Sequence, residues 1–246
     1  MPRFPLAVAV MLSLTGVTAV NAQGPSLSRA LRDIPPARHD VTTGEGLTAT
    51  VGIATLFLID RPVRNFLQAH RSNTLNGVAG VFRTMGTAPV YGGAALGIIG
   101  AGLIADDEEV KRAGGRLLLS EVITIVTDKA LKKLIGRARP DAKESPWDID
   151  PLANRQVSFP SGHAALAFTL ATSLADDLHN TWSSIALYTF ATGTAWSRLN
   201  DNRHWPSDVI GGAVLGFTVS RMMSNRWEIL GIRPPAFLTE PASASP

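Results

Sequence analysis

The sequence predicts an all-α fold, a helical bundle of about six core helices, and three observations support this prediction. Apolar segments of helical length recur along the chain, at 46–59, 88–105, 115–127, 163–175, 182–198 and 208–223. These segments are rich in Ala, Leu, Gly and Ile, and they lack the alternation of apolar and polar residues that is typical of a half-buried strand. Separately, charged residues make up only 17% of the 246 residues, against about 25% in an average soluble domain, which excludes a disordered acidic or basic tail protein.

The composition excludes several classes of protein. The chain has no cysteine, which excludes a disulfide scaffold, a thiol nucleophile and any cysteine-based zinc or iron–sulfur site. The formal net charge is +3 and is not clustered, so nucleic acid is not an expected partner. The mean hydropathy of +0.13 lies between that of a soluble enzyme and that of a bundle of membrane spans, and composition alone leaves this choice open.

Residues 1–22 are interpreted as an export signal. Arg3 precedes an apolar stretch, and Val20 and Ala22 supply the small residues expected at positions −3 and −1 of a cleavage site, which places the mature start near Gln23. An uncleaved anchor helix is the alternative. The rest of the chain divides into a flexible N-terminal arm over 23–45, a helical domain over 46–232 and a disordered, Pro/Ala/Ser-rich tail over 233–246.

The relation of the helices to a membrane stays open at this point. Only 88–105 approaches the roughly 20 apolar residues that a span requires. If the signal is cleaved, 46–59 runs inward and a further crossing must precede 88–105, and the weakly apolar 74–86 contains Arg83. The recurrent glycines favour close helix packing of the kind found in membranes. The leading expectation is an inner-membrane protein with its site facing the periplasm, and a soluble periplasmic bundle is the alternative.

The first motif is Lys132-x6-Arg139-Pro140 at the end of the segment that begins near 115. A spacing of seven residues is nearly two helical turns, so Lys132 and Arg139 are expected on one face of a helix that Pro140 ends. Further positive charge comes from Lys129, Lys133 and Arg137. Taken alone, the motif also fits a solvated basic helix end or a positive-inside anchor. Asp128 stands four residues before Lys132 and is expected to pair with it.

The second motif is Pro160-Ser161-Gly162-His163, followed directly by an apolar helix. A Ser-Gly turn that opens a helix offers free backbone N–H groups and a hydroxyl, which together favour the binding of an anion. His163 at the helix start is expected to face the same place. Since serine and glycine are also ordinary cap and turn residues, this motif alone is weak evidence.

The third motif is Ser197-Arg198-x5-His204-x3-Asp208. Asp208 follows His204 by four residues across the start of a helix, so its carboxylate is expected to accept a hydrogen bond from one imidazole nitrogen. That bond would fix the tautomer and leave the other nitrogen free to attack. An interfacial pair of His204 and Trp205 is the simpler interpretation, but it does not account for the rest of the motif.

The three motifs together favour phosphoryl transfer. All of them lie at helix ends, where three cations, two histidines and a Ser-Gly turn are expected to converge. Fixed cations neutralise the equatorial oxygens of a phosphoryl group in transfer, while one histidine attacks and the other protonates the leaving oxygen. No cluster with metal-ligand spacing occurs in the sequence, so neither a metal nor another cofactor is expected.

In order and internal spacing, the three motifs resemble the tripartite signature of the type-2 phosphatidic acid phosphatase superfamily, which also contains bacterial acid phosphatases and vanadium haloperoxidases. The signature covers 132–208, and the helical pattern extends the likeness to about 46–224. The resemblance implies that His204 is the nucleophile that forms a phosphohistidine, that Asp208 orients it and that His163 is the general acid. It further implies a metal-free phosphate site made by Lys132, Arg139, Ser161, Gly162 and Arg198.

The function expected from this resemblance is a metal-independent phosphatase. Its substrate is expected to be a phosphomonoester or diphosphate of a membrane lipid, phosphatidate-like or an isoprenyl diphosphate. The alternatives are a soluble periplasmic acid phosphatase of broad specificity, a vanadium-dependent haloperoxidase and a catalytically silent membrane protein. The loop 141–159, between the first two motifs, is either a substrate-selecting segment or a solvated connector.

Overall fold

The computed structural model describes residues 39–142, 145–152, 157–229 and 231. Within these ranges the chain forms seven α-helices and two short strands, and the fold is all-α as predicted. In chain order the elements are β1 (His39–Val41), α1 (Thr43–Ala69), α2 (Asn73–Met85), α3 (Ala88–Ala105), α4 (Glu108–Ile135), a 3-10 turn (Pro140–Ala142), α5 (Gly162–Leu178), α6 (Thr181–Asn200), α7 (Pro206–Met223) and β2 (Trp227–Ile229). The predicted signal over 1–22, most of the predicted arm and the predicted tail over 233–246 lie outside the described residues.

Helix α1 is about twice as long as the predicted segment 46–59. It begins with a capping box, in which Thr42 and Glu45 satisfy each other's backbone N–H groups, and it continues for 27 residues. The apolar run ends at Asp60, which the sequence pattern indicates as a helix boundary. The helix continues because Asp60 is fully buried and paired with Arg137, so its charge does not require solvent.

Helix α2 covers most of 74–86, the stretch that is only weakly apolar in sequence. The Ser72 side chain accepts a hydrogen bond from the N–H of Leu75 and so caps the first turn. With 13 residues, α2 is about 20 Å long, too short to cross a membrane on its own. It therefore does not supply the additional crossing that the cleaved-signal interpretation requires.

The two strands were not predicted. They pair in parallel, with His39 opposite Trp227 and Val41 opposite Ile229. The His39 ring lies against the Trp227 ring at a centroid distance of 5.8 Å, so residues 39–41 form a strand instead of part of a loose arm. This pairing holds the start of α1 to the end of α7, at the end of the bundle opposite the three motifs.

Close helix packing is concentrated where α7 meets α5. A Cβ atom at Gly216 would lie 2.1 Å from the Ala165 carbonyl oxygen, and one at Gly212 would lie 2.4 Å from the Ser161 carbonyl oxygen. Only glycine permits this approach, which brings the first turn of α7 against the turn that opens α5. By contrast, a Cβ atom at Gly93 or Gly97 of α3 would meet no described atom within 4 Å, so these two glycines serve no such contact within the described part of the chain.

Apolar side chains cover the outside of the bundle. Helices α1 and α3 are long and apolar enough to cross a membrane, yet only 6% and 17% of their most apolar windows are buried. Leu58 is 67% exposed and Ile104 is 91% exposed. A soluble protein rarely leaves so much contiguous apolar surface open, and this surface favours a membrane location.

Candidate active site

The first motif does not lie on one helix face. Helix α4 ends at Ile135, and Gly136 adopts a left-handed conformation with φ of 60°. A Cβ atom there would lie 1.7 Å from the Asp150 carbonyl oxygen, so only glycine fits. The prediction that Pro140 ends the helix is therefore wrong, because Gly136 ends it one turn earlier, and Arg139 reaches the site from the loop and not from α4.

Lys132 stands in the last turn of α4 and is largely buried. Its Nζ donates to Asp128 Oδ1 at 2.5 Å, as expected from the sequence, and also to the Pro160 carbonyl oxygen. Burial lowers the pKa of Lys132, while the Asp128 carboxylate opposes that shift. The contact with Pro160 brings the end of the first motif directly against the start of the second.

Arg137 is the functional residue whose importance the sequence reasoning missed, since it was counted only as additional positive charge. It is fully buried. Its Nη1 donates to Asp208 Oδ1 at 2.6 Å and to Ser207 Oγ at 2.7 Å, and its Nη2 donates to Asp60 Oδ2 at 2.6 Å. Asp60, the acid at which the apolar run ends, is the available signal, because a carboxylate that becomes buried requires a cationic partner.

His204 and Asp208 are adjacent, but not in the predicted hydrogen bond. His204 Nδ1 lies 3.6 Å from Asp208 Oδ2, which is too long for one, and 2.9 Å from the Ser158 carbonyl oxygen. The reason is that Asp208 Oδ2 already accepts from Ser158 Oγ at 2.5 Å and from the Trp205 N–H at 2.8 Å. Since a carbonyl oxygen only accepts, Nδ1 carries the proton, and Nε2 is the nitrogen with a free lone pair.

The electrostatic surroundings of His204 combine burial with this carboxylate. Burial lowers the pKa of His204, while Asp208 acts to raise it. A neutral imidazole with a free Nε2 is the form that a nucleophile or a general base requires.

The second motif supplies one buried hydroxyl and the start of α5. Ser161 is fully buried, and its N–H donates to the Asp208 carbonyl oxygen at 2.8 Å, so that N–H is not free for an anion as the sequence suggested. The Gly162 position lies against Asp128, since a Cβ atom there would be 3.1 Å from Asp128 Oδ2. The remaining first-turn N–H groups of α5 have no helical acceptor.

His163 shows that the three motifs converge. Its pKa is lowered to about 4, first by burial and then by the charges of Arg198, His204, Lys132 and Arg139. These groups come from α4, from the loop after it, from α6 and from the turn before α7. Helix ends that are far apart in sequence therefore place their cations around one imidazole.

Three buried polar atoms of this cluster have no hydrogen-bond partner among the described residues. They are Ser161 Oγ, Arg139 Nε and Arg198 Nε. Buried donors are nearly always paired in folded proteins, and these three belong to side chains that the resemblance assigns to phosphate binding. The arrangement therefore leaves hydrogen-bonding capacity for an anion beside His204.

The described part of the loop 141–159 supports Arg137. Its Nε donates to the Pro146 carbonyl oxygen at 2.8 Å, and Trp147 packs against Phe57 at a centroid distance of 5.3 Å. Phe57 in turn lies 3.7 Å below the Arg137 guanidinium. These contacts add a structural role to the two roles that the sequence left open.

An apolar groove of about 690 Å³ lies between α2 and the outer face of α6. Phe82 lines it and packs on Gly193, where a Cβ atom would lie 2.4 Å from the ring. Near the same place, a Cβ atom at Gly86 would be 3.4 Å from His163 Cδ2. Since the Gly86 N–H donates to the Phe82 carbonyl oxygen at 2.8 Å, the groove lining comes within one helical turn of the residue that lies beside His163. The groove lining consists of Phe82, Ile185, Tyr188, Thr189, Thr192, Gly193 and Trp196.

Comparison with known proteins finds a family match in this region. Residues 113–228, which contain all three motifs, match the PAP2 superfamily, and this confirms the resemblance seen in the sequence. The chain is 36% identical over 117 residues to Lipid A 1-phosphatase of Porphyromonas gingivalis, and the matched segment covers 45% of this chain and 24% of that protein. It is 31% identical over 113 residues to Undecaprenyl-diphosphatase of Sulfolobus acidocaldarius, and this match covers 46% of this chain and 54% of that protein. The chain thus spans about half, or less, of these relatives.

A solved structure shares the fold over a longer part of the chain. The transmembrane PAP2 type phosphatidylglycerolphosphate phosphatase from Bacillus subtilis superposes with a TM-score of 0.55 at 25% identity, covering 71% of this chain and 91% of that one. The helical bundle of the PAP2 type is therefore confirmed. Together with the exposed apolar helices, this likeness supports a membrane location.

Proposed function

We propose that this chain, whose residues 113–228 are of the PAP2 superfamily, is a metal-independent phosphatase that acts on the phosphate of a membrane lipid. The observation that carries the proposal is the set of unpartnered buried donors on Ser161, Arg139 and Arg198, beside a histidine whose Nε2 is free. Lys132 adds a further cation within the same cluster. Such a site suits a group with several negatively charged oxygens.

The proposed chemistry has two steps. In the first, His204 Nε2 attacks the phosphorus atom, the bond from phosphorus to the leaving oxygen breaks, and His163 gives that oxygen its proton. In the second, His163 takes a proton from water as the water oxygen attacks the phosphohistidine. The phosphorus–nitrogen bond then breaks, inorganic phosphate leaves, and both histidines return to their starting forms.

The buried groups behind His204 hold it for this attack. The Ser158 carbonyl oxygen accepts from Nδ1–H at 2.9 Å and fixes the tautomer. Asp208 lies 3.6 Å from the same nitrogen, so its negative charge stabilises the imidazole when the ring becomes positive. Arg137 and Ser158 hold Asp208 in place and are positioning residues in this scheme.

Two features favour a lipid over a small soluble ester as the substrate. The apolar groove between α2 and α6 is lined by Phe82, one helical turn before the Gly86 that lies beside His163, and it offers a place for a hydrocarbon chain. The exposed apolar faces of α1 and α3 suit the bundle to a bilayer. The site lies at one end of that bundle, where it can reach the head group of a lipid. A soluble acid phosphatase would need neither feature.

Purified full-length chain in detergent provides the test of this function. Phosphatidate, farnesyl diphosphate and p-nitrophenyl phosphate are compared for phosphate release, with and without EDTA. The proposal expects faster release from the two lipids than from the aryl ester, with EDTA having no effect. Release from none of the three would contradict a phosphatase, preference for the aryl ester would contradict a lipid substrate, and loss of activity in EDTA would contradict metal independence.

We also propose that the site faces the periplasm. The fold allows this orientation only if the strands β1 and β2 lie on the cytoplasmic side of the membrane. The β1–β2 pair places both described ends of the chain opposite the site. In an embedded bundle, a leader that carries the chain across the membrane before β1 would therefore put the site in the cytoplasm. An outward-facing site therefore requires that the apolar run of residues 4–20 leaves β1 on the cytoplasmic side, which differs from the export signal expected from the sequence.

The absence of native cysteine makes the orientation directly measurable. Asp150→Cys places a thiol at the site end, and Arg112→Cys places one at the far end, both at exposed positions. In intact cells, a membrane-impermeant maleimide is expected to label Asp150→Cys and to spare Arg112→Cys. Labelling of the second variant alone would contradict an outward-facing site.

A further inference from the structure

Arg83 lies at the rim of the site and has no part in the three motifs. It stands in the last turn of α2, and its side chain is 50% exposed. Its Nη1 donates to Asp201 Oδ2 at 2.9 Å. Arg198 Nη1, from the third motif, donates to the same oxygen at 3.2 Å. One carboxylate oxygen therefore joins a phosphate-site arginine to an arginine outside that site.

The two guanidinium groups are close together because they share this acceptor. Each Nη1 atom bonds the same Asp201 oxygen, at 2.9 Å for Arg83 and 3.2 Å for Arg198, so the separation of the two Nη1 atoms cannot exceed the sum of these distances. Burial lowers the pKa of Arg198 and Asp201 opposes that shift, while like-charge repulsion from Arg83 and Arg203 lowers it further. Asp201 pairs with both Arg83 and Arg198, and Arg203 pairs with Asp141. Three cations thus face two carboxylates, and this part of the rim retains positive charge for a ligand.

The position of Arg83 on α2 is well fixed. Asn200 Nδ2, at the end of α6, donates to Asn76 Oδ1 in α2 at 3.0 Å. Phe82, the residue before Arg83, packs on Gly193 of α6. Arg83 therefore stands between the phosphate site and the head of the apolar groove. A lipid with its chain in that groove would bring its polar head past this side chain.

We propose that Arg83 binds a second anionic group of the substrate, next to the phosphate that is removed, and that it thereby selects lipid diphosphates over lipid monophosphates. This inference rests on the proposed phosphatase function. The terminal phosphate occupies the site of Lys132, Arg139 and Arg198, and the inner phosphate takes Arg83 from Asp201. The two phosphate groups of a diphosphate are joined by one bridging oxygen and therefore lie close together. The guanidinium groups of Arg83 and Arg198 are similarly close, because both donate to one oxygen of Asp201.

The test compares farnesyl diphosphate with farnesyl monophosphate, which carry the same chain. Arg83→Gln is expected to lower kcat/KM for the diphosphate roughly tenfold, mainly through KM, as for one charge-assisted hydrogen bond. For the monophosphate the change is expected to stay within about twofold, as for a lost rim charge. Arg71→Gln is the matched control, since Arg71 is exposed and bonds only to Asn76 and Gln68 among the described contacts, and it is expected to leave the ratio unchanged.

A second variant distinguishes substrate binding by Arg83 from a structural role of Arg83 in joining α2 to α6. Asp201→Asn weakens the link between α2 and α6 but keeps Arg83, so the ratio of diphosphate to monophosphate kcat/KM is expected to hold or rise. Equal losses on both substrates in Arg83→Gln, or a fall of the ratio in Asp201→Asn, would overturn the proposal. If wild-type chain hydrolyses neither substrate, the phosphatase function itself fails, which is a different outcome from an unchanged ratio.

Discussion

Arginine–carboxylate pairs form both the floor and the rim of the site, and the two regions differ in burial. On the floor, Arg137 joins Asp60 and Asp208 with all three side chains fully buried. On the rim, Arg203 pairs with Asp141 while their side chains are 46% and 32% exposed. A buried pair cannot exchange its partner for water or a ligand without a large penalty, whereas an exposed pair can. The floor therefore fixes geometry, and the rim is available to the substrate.

The largest effect is expected from breaking the floor. Arg137→Met leaves the carboxylates of Asp60 and Asp208 buried without a cation, and the free energy of unfolding is expected to fall by about 3–5 kcal/mol. Chemical denaturation monitored by circular dichroism measures this change. The same substitution on the rim, Arg203→Met, is the matched control.

A milder floor variant retains a folded protein for kinetics. Arg137→Lys keeps the charge but replaces a planar guanidinium, which reaches Asp60, Ser207 and Asp208 at once, with a single ammonium. Phosphate release is expected to fall at least tenfold in kcat with little change in KM, because Asp208 moves and His204 loses its orientation. Unaltered kcat would contradict the positioning role of Arg137.

An intermediate effect is expected from pH, since burial, and after it the cations between floor and rim, lower the pKa of His163 to about 4, below the usual 6.5. Because the unfolded chain then binds the proton more tightly, the folded state is expected to lose stability as the pH falls from about 6.5 through 4. A bound phosphate neutralises the surrounding cations and should raise the pKa of His163. Histidine NMR titration with and without inorganic phosphate checks this shift, with the exposed His179 as the internal control. A His163 pKa that does not move while phosphate is bound would contradict the convergence of the cations on that ligand.

The smallest effect on stability is expected from the rim. Arg203→Met removes one member of the half-exposed pair with Asp141 and is expected to change the free energy of unfolding by less than about 1 kcal/mol. Denaturation under the conditions used for Arg137→Met gives the comparison directly. Similar losses in the two variants would show that burial does not separate floor from rim.

The sequence predicted those features whose cause is local. Segment 88–105 was predicted with its observed bounds because an uninterrupted apolar run ends at Asp106, which adopts a left-handed conformation with φ of 53°. The three motifs were found because each has a fixed internal spacing. Seven helices occur in the described ranges where about six were predicted, since the short α2 has only one weakly apolar face.

Features that depend on distant partners could not be predicted. Asp60 extends α1 only because Arg137, 77 residues later, neutralises it. His204 donates to the Ser158 carbonyl oxygen, 46 residues earlier, and no residue type marks a backbone acceptor in advance. The expected bond to Asp208 failed for the same reason, because Ser158 Oγ and the Trp205 N–H occupy that carboxylate oxygen.

Both regions serve His204, the group that we propose attacks phosphorus. The most direct measurement is the rate of phosphate release by His204→Ala on farnesyl diphosphate, with His179→Ala, at the opposite end of the bundle, as the control. We expect a loss of at least about 10³-fold in kcat for His204→Ala and wild-type turnover for His179→Ala. Near wild-type phosphate release by folded His204→Ala would contradict this proposal.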